Sequence, residues 1–202
     1  MVGAGDVRMF DRFARVYDLV MPGADATKLG RALDGGDRPV DRLLDLGGGT
    51  GRAARALDVE QRIVLDAAGG MVRRAHDHGL PAVQADGARL PLVAESVDGV
   101  TIVDALHHIH GWDSLFEEVF RVLRPGGVLA ISDFDPTTLL GRALVAGEHL
   151  IGFESQFASV DELCDRLERA GFETFVVDDG FAYTVAGVVP KRENKSRSTR
   201  RE

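Results

Sequence analysis

Cysteine is almost missing. The single Cys164 in 202 residues leaves no partner for an internal disulfide and no multi-cysteine metal site. In "SVDELCDRLERAGF" this thiol shares helical spacing with Val160, Leu163 and Leu167, which reads as a small buried hydrophobe on an apolar face. Lysine is nearly as scarce: 3 Lys stand against 21 Arg, and 21 Asp outnumber 11 Glu. An aspartate-rich, lysine-poor composition suits a high-salt cytoplasm, and a GC-rich genome produces the same skew. No run approaches the roughly 18 apolar residues of a membrane span, and no cationic-then-apolar leader pattern is present, so a cytoplasmic setting is expected. Positive charge is also missing from the body. Residues 191–202, "KRENKSRSTRRE", hold six of the 24 Lys and Arg and two of the 32 Asp and Glu. The remainder has 18 basic and 30 acidic residues, a net of −12. Such a body repels nucleic acid and anionic membranes. The basic segment has no apolar periodicity and is expected to be disordered.

What is present is an ordinary globular balance, 45% apolar and 28% charged, in a length suited to one core. In "RMFDRFARVYDLV", Phe10, Phe13, Val16, Tyr17 and Val20 fall at helical intervals over 8–20, stopped by Pro22-Gly23, and a second helix is expected over 25–34. Strands are expected at 42–46, 62–66, 82–85, 98–103, 127–132, 173–178 and 182–188, with helices at 51–58, 69–78, 113–123 and 159–170. Short, nearly continuous apolar strands separated by helices indicate a parallel sheet covered on both faces. The last two strands are joined by a tight Asp179-Gly180 turn, which predicts an antiparallel hairpin at one edge.

The most specific stretch is "RLLDLGGGTGRAARAL" at 42–57. A nicotinamide-binding loop needs G-x-G-x-x-G, and counting from Gly47 the third glycine falls on Arg52. No Gly-Lys-Ser/Thr follows, so a phosphate loop is absent too. Asp45 ends the strand two residues before Gly47, poorly placed beside a pyrophosphate but able to pair with an ammonium group. Asp66 ends the second strand, where a carboxylate can bind both hydroxyls of a ribose. Asp86 in "QADGARLP" can reach an adenine amino group. Adenosine plus an amino-acid ammonium, without phosphate, describes S-adenosylmethionine.

The segments "LLDLGGGTGR", "VLDAAGGMVRRA", "ADGARLPLVAESVDGV" and "FEEVFRVLRPGGVLAISDF" occur in this order, and together they resemble the class I S-adenosylmethionine-dependent methyltransferases of small molecules over roughly residues 10–188. The resemblance implies an α/β, Rossmann-like doubly wound sheet of seven strands, mostly parallel with an antiparallel C-terminal hairpin and helices on both faces. It implies one domain over 1–190, with N-terminal lid helices at 1–40 and an acceptor lid at 134–158. Carried over to this sequence, Gly47, Gly48 and Gly49 approach the methionine portion of the cofactor and Asp45 its ammonium. Asp66 holds the ribose, Ala67 and Met71 line the adenine side, Asp86 and Gly87 border the adenine, and Val103, Asp104 and Ala105 close the site. As packing alternatives, Gly48 and Gly51 serve helix–sheet packing, Met71 is core, and Asp45 caps the following helix.

A base is needed only if the acceptor must lose a proton. "VDALHHIHGWD" offers His107, His108, His110 and Asp113 at a strand end, with His108 the first candidate and no metal expected. "MFDRFARVYDLVMP" and "ISDFDP" resemble the ubiquinone/menaquinone-biosynthesis C-methyltransferases, which implies that Tyr17 lies over the cofactor and that Phe10 and Phe13 face a quinone-like ring. Against this stand Ala105-Leu106-His107-His108, where that group has Gly-Leu-Arg-Asn, and the short chain. "PTTLLGRALVAGEHLIGFESQF" reads as a mainly apolar lid with Glu148, His149, Phe153 and Phe157 as acceptor contacts, which implies a small, mostly apolar organic acceptor. The alternatives are a non-catalytic S-adenosylmethionine-binding protein and a nicotinamide-dependent oxidoreductase.

Overall fold

A computed structural model describes residues 7–12, 14, 18, 23–150 and 155–192, the His149 side chain excepted. Seven strands form one sheet: β1 (Arg42–Leu46), β2 (Gln61–Asp66), β3 (Ala82–Gln84), β4 (Val97–Val103), β5 (Leu123–Phe134), β6 (Glu173–Asp178) and β7 (Ala182–Val188). Their order is β3-β2-β1-β4-β5-β7-β6. β1 pairs in parallel with β2 and β4, β2 with β3, and β4 with β5, whereas β7 is antiparallel to both β5 and β6. The hairpin therefore lies at the edge with its second strand inserted, leaving β6 outermost. The chain steps outward from β1 to β3 and then returns to β4 on the other side of β1. A crevice opens at that reversal, at the C-terminal ends of β1 and β4, where ligands of open α/β sheets bind.

Helices α1 (Ala26–Asp34), α2 (Arg52–Ala56), α3 (Gly69–Asp77), α4 (Trp112–Val122), α5 (Leu139–Leu150) and α6 (Val160–Arg169) join the strands. Alternation along β5 divides the core between the two faces. Leu129 and Ile131 pack with Leu115, Phe116 and Val119 of α4 and Leu163 and Leu167 of α6. Val128 and Ala130 pack with Leu29 and Leu33 of α1 and Ala53 of α2. Local chemistry sets the helix starts. Asp25 accepts from the backbone N–H groups of Thr27 and Lys28, each at 3.1 Å, and Ser159 accepts from Glu162 at 3.3 Å.

Two elements differ from expectation. β5 starts at Leu123, straight after α4, because Leu123 pairs with Val97 and a register shift between Val97 and Gly99 absorbs Arg124-Pro125-Gly126-Gly127 into the strand. The segment read only as a lid contains the helix α5. Cys164 is half-buried rather than fully buried, and burial raises its thiol pKa. Residues 7–12 are helical, while most of 13–22, with Phe13 and Tyr17, and all of 193–202, the basic segment beyond Lys191 and Arg192, lie outside the described residues. Among the described residues no helix is long and apolar enough to cross a membrane.

Candidate functional site

The turn leaving β1 owes its path to glycine. Gly47 and Gly49 adopt φ of 67° and 57°, the left-handed region that side chains disfavour. A Cβ on Gly47 would also stand 2.8 Å from that of Ala105, across the crevice from β1. Gly48 answers a different need, because its Cβ would meet the Asp45 carboxylate at 2.6 Å. Asp45 itself is fully buried and accepts from the backbone N–H of Ala54 at 3.0 Å and from Thr101 Oγ1 at 2.9 Å. Burial outweighs those two bonds and pushes its carboxyl up to about 6. Asp45 thus ties β1 to β4 and to the start of α2.

Asp66 ends β2 with both carboxylate oxygens engaged, one accepting from Gly49 N–H at 2.9 Å and the other from Ala68 N–H at 2.8 Å. Burial raises its pKa against those bonds. Asp104, one residue past β4, holds φ at 50° and accepts from Arg52 Nη2 at 3.1 Å. The arginine in place of a third loop glycine therefore reaches across and fixes the end of β4. Burial also raises the Asp104 carboxyl. One cavity brings together Gly47, Gly49, Asp66, Ala67, Met71, Asp104 and His108 of the residues singled out in the sequence. Asp45, Gly48, Asp86 and Gly87 do not line it. Asp86 accepts from Ala88 N–H at 3.1 Å within its own turn, and a Cβ on Gly87 would stand 3.1 Å from Leu115.

The segment before α1 lies over this cavity. Val7 and Phe10 line it. Asp11 accepts from Gly70 N–H at 2.5 Å, which caps α3, a helix with no side-chain cap of its own. Asp18 accepts from Thr50 Oγ1 at 2.5 Å and stands 3.6 Å from both Arg55 and Arg74.

On the opposite wall a short 3-10 turn, Leu106–His108, buries two histidines. His107 Nδ1 is 2.7 Å from Asp133 Oδ1, its backbone N–H donates to Asp133 Oδ2 at 3.2 Å, and its Nε2 is 3.6 Å from Glu148. The Phe157 ring stacks on it at 4.7 Å. Burial alone would lower the His107 pKa, but the charges of Asp133 and Glu148 and the Asp133 hydrogen bond raise it. His108 differs: burial first, then the fields of His107 and His110, lower it to about 3. It is therefore neutral at physiological pH, while His107 shares its Nδ1 with the Asp133 carboxylate. Asp113 is exposed and faces Arg166 at 3.3 Å. Sequence reasoning did not assign Asp133, Ser155 or the bridging role of Arg52, since each acts through a partner distant in the chain.

Residues 44–131 match the family described as a methyltransferase domain. Residues 44–131 thus carry a methyltransferase domain, and the chain is similar to S-adenosylmethionine-dependent methyltransferases. It is 33% identical to the malonyl-[acyl-carrier protein] O-methyltransferase of Methylovorus sp. (strain MP688) over 192 residues, which are 85% of this chain and 64% of that one. It is 34% identical to the demethylmenaquinone methyltransferase of Corynebacterium urealyticum over 115 residues, 56% of this chain and 50% of that one. The chain thus spans less than two thirds of the length of these curated relatives. An S-adenosylmethionine-dependent methyltransferase from Thermotoga maritima shares the fold with a TM-score of 0.73 at 24% identity, over 89% of this chain and 98% of that one. In this chain Arg52 stands where a nicotinamide fold needs its third glycine.

Proposed function

We propose that the protein transfers the methyl group of S-adenosylmethionine to a small, mostly apolar organic acceptor. The observation that carries this reading is the crevice that gathers Gly47 and Gly49, Asp66, and Asp104 from the ends of β1, β2 and β4 against the buried His108. Its residues fit the cofactor: left-handed glycines bare the backbone, a carboxylate ends β2, and Ala67 and Met71 supply an apolar side for a purine. When bound, the cofactor brings a methyl group already activated on a sulfonium, so the protein mainly aligns and desolvates. Asp66 would exchange its Gly49 contact for ribose hydroxyls. Asp104, held by Arg52, would place one negative charge near the cationic portion. Phe10 and the segment pinned by Asp11 and Asp18 would exclude water as a lid.

The acceptor would lie on the far wall, between Phe10, Phe157 and α5. The named relatives act on acceptors of opposite character, a malonyl carboxylate and a demethylated quinone. Phe134, Phe157 and Phe181, grouped beside His107, suit an uncharged ring. An aromatic acceptor of the phenol or quinol class is the better fit.

The test begins with thermal-shift titrations against S-adenosylhomocysteine, S-adenosylmethionine and NAD. A ligand at 100 times its Kd adds about 2.7 kcal/mol, and a chain of this size gains roughly 2–4 °C per kcal/mol. Stabilisation by the adenosyl ligands, followed by S-adenosylhomocysteine release in the presence of small phenols and quinols, is the expected result. Stabilisation by NAD alone, or by none of the three, would overturn the assignment.

A further inference from the structure

We propose that His107, His108 and Glu148 bind a divalent transition-metal ion of the zinc class on the acceptor wall of the crevice. The purpose given to this ion rests on the methyltransferase reading, but the site itself does not. Each of the three residues offers one ligand atom, and these atoms lie within 4.8 Å of one another. Zinc bonds of about 2.0–2.2 Å set tetrahedral neighbours ~3.5 Å apart. His107 Nε2 and Glu148 are already 3.6 Å apart, so binding needs only a small rotation at the remaining ligand.

The surroundings are those of a ligand set rather than a chance polar cluster. Asp133 holds His107 Nδ1 at 2.7 Å, which fixes the ring and turns its other nitrogen toward Glu148. A carboxylate behind a ligating histidine is the recurrent way in which proteins orient such ligands. Phe157, stacked at an interplanar angle of 9°, locks the plane of that ring. Ser155 hydrogen-bonds Glu148 and lies 3.5 Å from His108 Nδ1, supporting the other two members. His107 and His108 are only 3% and 8% exposed, so both ligand side chains are held by packing. Two imidazoles and one carboxylate select zinc-like ions over magnesium or calcium, which prefer all-oxygen sites.

Three protein ligands leave a coordination position open. His108 belongs both to this cluster and to the cofactor cavity, so the open position faces the place where the methyl group arrives. There the ion would bind the hydroxyl of a phenol or quinol and lower its pKa. The hydroxyl proton leaves to water. The resulting oxyanion attacks the methyl carbon in line, the carbon–sulfur bond breaks, and its electron pair stays on sulfur, which becomes a neutral thioether. The ion would thus supply the deprotonation that a carbon or oxygen acceptor of this class needs.

Cobalt(II) titration of untagged, chelator-treated protein, followed by visible absorption, tests the site. One equivalent should bind with the intense bands of a four- or five-coordinate ion, and zinc should displace it. Glu148→Gln and His108→Asn should each abolish the bands, Asp133→Asn should weaken binding about 10–100-fold, and His76→Asn, on the exposed side of α3, should change nothing. Circular dichroism melting shows whether each variant folds. S-adenosylhomocysteine titration of the same samples reads the cofactor assignment separately. No saturable binding, or bands that persist in both Glu148→Gln and His108→Asn, would overturn the proposal whatever the cofactor result.

Discussion

Replacing Asp45 with asparagine separates two opposing forces on one buried carboxylate. The start of α2 and the Thr101 hydroxyl favour the charged form, and full burial disfavours it. Burial wins, and the carboxyl rises from an ordinary 3.8 to about 6. Each pKa unit is worth about 1.4 kcal/mol, so ionised Asp45 costs the folded state about 3 kcal/mol at neutral pH. Because the folded pKa lies above the unfolded one, the folded state binds the extra proton. The contribution of this group is therefore most favourable below pH 4, is lost as pH rises from 4 to 6, and stays constant above that. Asparagine cannot titrate. The stability of Asp45→Asn relative to the parent should rise by about 3 kcal/mol between pH 3.5 and 7, measured by urea unfolding at each pH with the difference taken so that other titrating groups cancel. A flat difference would show an unperturbed carboxyl. A difference of opposite slope would show that the hydrogen bonds and the helix start outweigh burial, and would refute the argument.

Three further outcomes follow from the crevice. Gly47→Ala forces a methyl into a left-handed position at about 1–2 kcal/mol and against Ala105, so the melting temperature should fall and stabilisation by S-adenosylhomocysteine should vanish; a parental response would remove the close backbone approach. Asp66→Asn should abolish the S-adenosylhomocysteine response while leaving a cooperative melt, and retained affinity in calorimetry would remove the ribose contact. Asp18→Ala frees Thr50, Arg55 and Arg74 together, so protease cleavage before residue 23 should accelerate and cofactor affinity should drop, with little change in the melting temperature of the sheet.

The sheet was legible because its strands are short apolar runs bounded by turn chemistry: β1 was expected at 42–46 and spans Arg42–Leu46. The departures have physical causes. Arg-Pro-Gly-Gly looks like a break, yet the bulge opposite Val97 lets β5 run through it. α5 lacked a readable face because Leu139, Leu140 and Leu150 are 84%, 64% and 87% exposed, so its apolar residues do not mark a buried stripe. At the site, local features carried furthest: the glycine turn and the carboxylate ending β2 are properties of one strand and its loop. Asp133 was out of reach because its partner His107 lies on the neighbouring strand connection, 26 residues away. His108 lies in the crevice as the strand-end position suggested, but its burial and the resulting drop in pKa depend on neighbours that the sequence does not show.

The insertion of β7 between β5 and β6 imposes an order of assembly. Among the described residues β6 hydrogen-bonds to no strand except β7, and β5 has β4 on one side and β7 on the other. During synthesis the first five strands can pair as they emerge, but β6 must wait without a neighbour while the long edge of β5 stays open. An unpaired, flat, apolar edge invites pairing with another chain. The Asp179–Gly180 turn and the strand after it therefore act as the closing seam of the molecule, and nascent chains stalled before residue 182 should be the ones that aggregate.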